Sequence, residues 1–197
     1  MMEFVVFKDA FVQALLSIFG KAQDIVVAPA QTPEMLWLLI PLLAGLFLME
    51  IYFGHYKREE LGWNSAVSNS LVLFFVGMSL FSYLSSQGML ASVSFAGGLK
   101  VAGTQTMIIK SGIAAFVVLE AVVLFILNFT HAIPKKFAFG ISSGLFLNFL
   151  GVIAFILVHG MISFDILLIP AIFLIFLILV IVLGFIEAIE PSDWHSQ

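Results

Sequence analysis

The 197-residue chain contains no cysteine. That excludes disulfides, thiolate metal centres and thiol redox chemistry, whichever side of a membrane its loops face. Charge is scarce as well: Asp, Glu, Lys and Arg make up 10% of the residues, against about a quarter in soluble domains. The eight Lys and Arg stand in ones and twos and the net charge is only -4, so no basic stripe exists and nucleic acid is not an expected partner. Also missing are a His-Glu-X-X-His helix, a Gly-X-Ser-X-Gly elbow and a paired-glycine phosphate loop. The four histidines, His55, His131, His159 and His195, are dispersed. No catalytic residue, metal-ligand set or cofactor motif emerges, so the expected function is not enzymatic. A membrane redox or lipid-modifying enzyme using His55 and His131 is the distant alternative.

Apolar bulk is what the chain does have: 62% of residues are hydrophobic, 22 are Phe, and the mean hydropathy is +1.17. Five segments, 35 to 54, 64 to 85, 106 to 130, 137 to 159 and 165 to 187, reach the roughly 20 helical residues needed to cross about 30 Å of hydrocarbon. Unpaired backbone amides are too costly in lipid for anything but helices here, because no alternating barrel pattern is present. The expected fold is therefore all-α, a polytopic transmembrane bundle of about five spans. Residues 1–33 form an N-terminal amphipathic segment, 34–188 the transmembrane domain and 189–197 a short acidic tail. The lipid bilayer is the first partner, and a homo-oligomer or a membrane complex the second.

In the N-terminal segment, Asp9, Gln13, Ser17 and Lys21 recur every fourth residue, with Phe4, Phe7, Phe11, Leu15, Ile18 and Phe19 on the other faces. Such a helix lies in the interface or across the ends of the bundle. Its apolar run resembles a signal peptide, but Lys8 and Asp9 interrupt it and "KAQD" separates it from "APA", so retention is expected. The two prolines of "APAQTPEM" should then end the helix. "SVSF", "AGG" and "LKVAGT", between the second and third spans, predict a short hairpin, with a re-entrant loop as the sharper alternative.

Lys57 and Arg58 lie in one connecting loop and Lys135 and Lys136 in another. Short-loop positive charge places both in the cytoplasm and the N-terminus outside. The plain expectation is a multi-pass protein of a prokaryotic plasma membrane. Trp37, Trp63 and Trp194 fall at or near the span ends, where amphipathic rings prefer the headgroups. "YFGH" and "NFTH" precede these two loops, too little to establish a repeat.

Ionisable groups inside spans mark functional hypotheses. Glu120, centred in "FVVLEAVVLF", is the clearest. On a helical wheel His131 lies about 20° from it on the same stripe, with Leu124 between, while Asn128 is about 80° round. Gly140, Gly144, Asn148 and Gly151 make a small-residue face on the fourth span, where backbones can approach closely. Asn148 is expected at the depth of Glu120, so the two faces are predicted to meet. The second span carries a polar stripe of Asn64, Ser68, Ser79, Ser82 and Ser86, flanked by Ser65 and Asn69. Glu120 is then either glue, hydrogen-bonded to Asn148 or Asn69, or the centre of a proton or cation site with Asn148, Asn69 and His131. Of the rest, Glu50 is expected near His55 and Lys57, Lys110 should snorkel outward, Glu59 and Glu60 belong to a solvated turn, and Pro170 should kink the fifth span. Asn128-Phe129-Thr130 matches a glycosylation acceptor in letters only.

Overall fold

The computed structural model describes residues 2–55, 62–94 and 100–189. The chain is all-α apart from one small hairpin: α1 (Met2–Gln31), α2 (Pro33–His55), α3 (Trp63–Ser86), β1 (Ser92–Ser94), β2 (Lys100–Ala102), α4 (Gln105–Phe129), α5 (Lys135–Ile141), α6 (Gly144–His159) and α7 (Leu168–Ile189). Five helical stretches are long and apolar enough to cross a membrane: Phe7–Gln31, Trp63–Ser86, Gln105–Phe129, Lys135–His159 and Leu168–Ile186. The expected architecture is present. The sequence-based spans match α2, α3, α4, α5 with α6, and α7 to within three residues at each end.

The set of five nevertheless differs at its start. The amphipathic helix does not stop at the first proline but runs through Pro29 to Gln31 and turns at Thr32 into α2. Pro29 supplies no N–H for the Ile25 carbonyl, and the helix ends two residues further on. That length qualifies α1 as a fifth apolar stretch, whereas the described apolar part of α2, Met35–Leu48, is shorter. Lys21 and Ala28 both touch the segment linking α6 to α7, so the C-terminal third of α1 lies along that end of the bundle. Residues 7 to 17 are exposed on every face.

α6 is the central helix, with every residue from Gly151 to Val158 buried. The tightest pairing is α3 on α4, where Leu73, Leu80 and Leu84 share a core with Ala114, Val117 and Ala121. A side chain on Gly77 would meet Val118 Cγ2 at 2.6 Å, so glycine lets the backbones close up. In lipid such packing, rather than the hydrophobic effect, drives association.

β1 and β2 pair antiparallel with Val93 opposite Val101. The residues of both strands are exposed. This hairpin, the α6–α7 link and the start of α2 share one end of the molecule, here the hairpin end. Trp63 and His131 mark the other.

Two local features depart from expectation. The fourth span is broken at Ser142 and Ser143: Ser143 caps α6 by accepting from the Phe146 N–H, 3.3 Å. Pro170 lies in the first turn of α7, where its missing N–H leaves no gap in the ladder, so no kink is needed. Lys57, Arg58, Glu59, Glu60, Trp194, His195 and the acidic tail beyond Ile189 lie outside the described residues, as do the side chains of Glu50 and His55.

Candidate functional site: a polar cleft among α2, α3 and α6

The N-terminal half of the α3 stripe lines a cleft of about 540 Å³. Asn64, Ser65, Ser68 and Asn69 project into it from α3, Asn148 and Gly144 from α6, and Pro41 and Gly45 from α2. Small and helix-interrupting residues face it on the two other helices, and they leave the space that the amides and hydroxyls occupy. Deeper in, Leu73, Val76 and Leu147 close it. From Asn64 to Val76 is about 18 Å of helix, over half the hydrocarbon thickness.

Asn69 donates to the Ser142 carbonyl at 2.9 Å. Asn64, Ser65, Ser68 and Asn148 make no side-chain hydrogen bond among the described residues. Among the described residues no charged side chain lines the cleft. It is a place for uncharged hydrogen-bonding groups, and at this depth unpaired amides and hydroxyls cost free energy unless water or a partner satisfies them.

The rest of the expected stripe parts from it. Ser79 and Ser86 turn their hydroxyls onto their own helix, to the Val76 and Tyr83 carbonyls at 2.8 Å, and Ser82 is exposed. Gly144 and Gly151 are both buried, Gly144 at the cleft and Gly151 against Val76 and Leu42. Gly140, on α5 beyond the break, is exposed, and among the described residues nothing lies within 4 Å of where a Cβ would stand.

Glu120 and Asn148 do not pair. Their depths agree: α4 and α6 run antiparallel, with Lys110 reaching Gly160 and Asn128 reaching Ser142. Their faces differ, because Asn148 points to α2 and α3 while Glu120 lies on α4, its Oε2 buried without a hydrogen-bond partner. Asn69 does not reach it either. His131 also leaves the predicted stripe. α4 ends at Phe129, and His131 adopts φ 54° beyond it, its exposed ring stacked on Trp63 at 4.1 Å between centroids. A wheel cannot be extended past the helix that defines it.

Asn128 is the residue that the sequence undervalued. Fully buried, its Nδ2 donates to the Ser142 and Ser70 hydroxyls at 2.8 and 3.1 Å and approaches the Ala66 carbonyl at 3.3 Å. It ties α4 to α3 and to the break between α5 and α6. Its place was legible in one respect: the buried stripe of α4, Lys110, Ala114, Val117, Ala121, Leu124 and Asn128, follows three-four spacing and contains it. Burial also closes its glycosylation match to any enzyme.

At the hairpin end, Lys110 is buried and donates to the Gly160 carbonyl at 3.1 Å. His159 stacks on Tyr83 at 3.8 Å, with Nδ1 at the Phe155 carbonyl and Nε2 buried without a partner. Lys21 of α1 donates to Ser163 Oγ and Asp165 Oδ2 at 2.6 and 2.7 Å. That hydrogen bond holds the Asp165 carboxyl below its ordinary range. Among the described residues, no three His, Asp or Glu side chains gather as a metal centre would require. Comparison with protein-family models, with curated proteins and with solved structures found no match.

Proposed function

We propose that this multi-pass protein is a non-enzymatic structural or interaction subunit, working as a homo-oligomer or within a larger membrane complex. The observation that carries this reading is the cleft: four uncharged polar side chains, Asn64, Ser65, Ser68 and Asn148, face one space between helices and make no side-chain hydrogen bond among the described residues. A polar side chain on a neighbouring transmembrane helix would satisfy them, as interhelical hydrogen bonds do in membranes. Lys135 and Lys136 at the Trp63 end favour an orientation with that end in the cytoplasm and the N-terminus outside.

The natural absence of cysteine makes the test direct. Ser68→Cys in native membranes, treated with a short bismaleimide, should trap a partner or a second copy. Asn148→Leu should lower that yield severalfold without loss of the folded chain. A chain that runs as a monomer in mild detergent and yields no adduct would overturn the reading.

One observation favours a second reading, a small proton or cation conduit: the Glu120 Oε2 is enclosed and unpartnered. Reconstituted in liposomes with a pH-sensitive dye, the protein should then dissipate a proton gradient, and Glu120→Gln should abolish the flux. Flux equal to that of empty vesicles, with a parallel cation assay also blank, removes this reading.

A further inference from the structure

α2 packs closely on α6, whereas α7 packs mainly on α1, meets α6 through the ring of Phe176 on Phe146 and Phe149, and touches α2 only lightly. Between α2 and α7 runs a groove of about 370 Å³, within the usual size range of ligand pockets. Among the described residues its walls carry only apolar side chains: Leu39, Leu43 and Phe47 on α2, Ile153 on α6, and Ile175 and Leu179 on α7. α1 roofs it at the hairpin end through Ile25, Val26, Pro29 and Ala30. On the opposite face of those same turns, Gln23, Asp24 and Gln31 line a polar pocket with Lys21 and Ser163. The last turns of α1 thus separate a polar exterior from an apolar space beneath. Lys21 latches the roof shut on Ser163 and Asp165.

We infer that this groove holds one acyl chain of a membrane lipid, entering sideways between α2 and α7, with α1 as its lid. Three observations select that occupant. The described wall side chains offer no hydrogen bond, so a polar ligand or a polar helix gains little there. The roof blocks entry along the helix axes from the hairpin end, which leaves the bilayer as the source. From Leu36 to Phe47 the α2 wall is about 16 Å long, close to one leaflet of a hydrocarbon core about 30 Å thick. This site is separate from the polar cleft and does not depend on the subunit reading.

The protein reconstituted with brominated-acyl phosphatidylcholine, then transferred to detergent, tests it. With the native tryptophans replaced by Phe, a reporter at Phe47→Trp should stay quenched after transfer, because its lipid is retained. Phe75→Trp, exposed on α3 away from the groove, should lose its quenching. Filling the groove with Ala30→Trp and Leu43→Trp should release the stoichiometric lipid that extraction and mass spectrometry find on the unsubstituted protein. If the filled variant does not fold, the Phe47 and Phe75 reporters decide alone. Equal loss of quenching at both, or lipid content unchanged in a folded filled variant, overturns the inference.

Discussion

His131 occupies the left-handed position of the turn that ends α4: the Ala132 N–H reaches the Leu127 carbonyl at 3.0 Å, and φ at His131 is 54°. The end of α3 closes the same way, with Met89 on Leu84 and Gly88 at φ 64°, so one turn uses the residue that suits it and the other does not. Holding a side chain in that region costs about 1 kcal/mol, and the stack on Trp63 returns a similar amount. His131→Ala should therefore be less stable than His131→Gly by about 1 kcal/mol, measured by reversible unfolding in micelles; the reverse order would show that the left-handed position carries no strain for a side chain. Asn128→Ala, which strips the donor from Ser70 and Ser142, should cost about 1 kcal/mol, the scale of interhelical hydrogen bonds in membranes. Single residues were also where sequence reasoning reached least far. It found the depth of Glu120 and Asn148, because rise per residue is fixed, but not their partners. A wheel relates residues within one helix and says nothing of which neighbour lies opposite.

Elements were more legible, for physical reasons. Apolar length fixes a span almost by itself, and the glycines of 97 and 98 between two short runs marked the hairpin. The break at Ser142 was not visible, since two serines in an apolar run read equally as packing residues. Nor was the closeness of α3 and α4 at Gly77. Gly77→Ala should force Val118 and its backbone apart and cost about 1 to 3 kcal/mol, the usual range for overpacking, read as a loss of thermal stability; an unchanged melting point would mean the helices are free to part. The α1 latch has a pH dependence of definite sign. Lys21 depresses the Asp165 carboxyl when docked, so the docked state binds that proton less readily than the undocked one. Docking is then fully supported above the ordinary carboxylate range and is lost as pH falls through the depressed value. Energy transfer between labels at Gln23→Cys and Ile166→Cys should stay flat near neutrality and fall in acid, and Asp165→Asn should remove that dependence.

Over the whole molecule, α1 sets the arrangement, because it meets the length and hydropathy of a span yet its C-terminal third rests against the α6–α7 link. If that third is the polar-faced roof of the bundle, then Gln23 on α1, Val93 on the hairpin and Met161 on the link share one aqueous side, while Ala132 after α4 lies on the other. All four are exposed. The natural lack of cysteine allows each to be replaced singly by Cys without removing any native thiol. In sealed, oriented vesicles a membrane-impermeant maleimide should label Gln23→Cys, Val93→Cys and Met161→Cys from the same side. It should reach Ala132→Cys only after the vesicles are opened, or the converse if they are inverted. The pairing of the first three matters more than the absolute orientation, since the latch between Lys21 and Asp165 requires it. Labelling of Gln23→Cys and Met161→Cys from opposite sides would mean that α1 crosses the bilayer in the native membrane and that the groove between α2 and α7 has no roof.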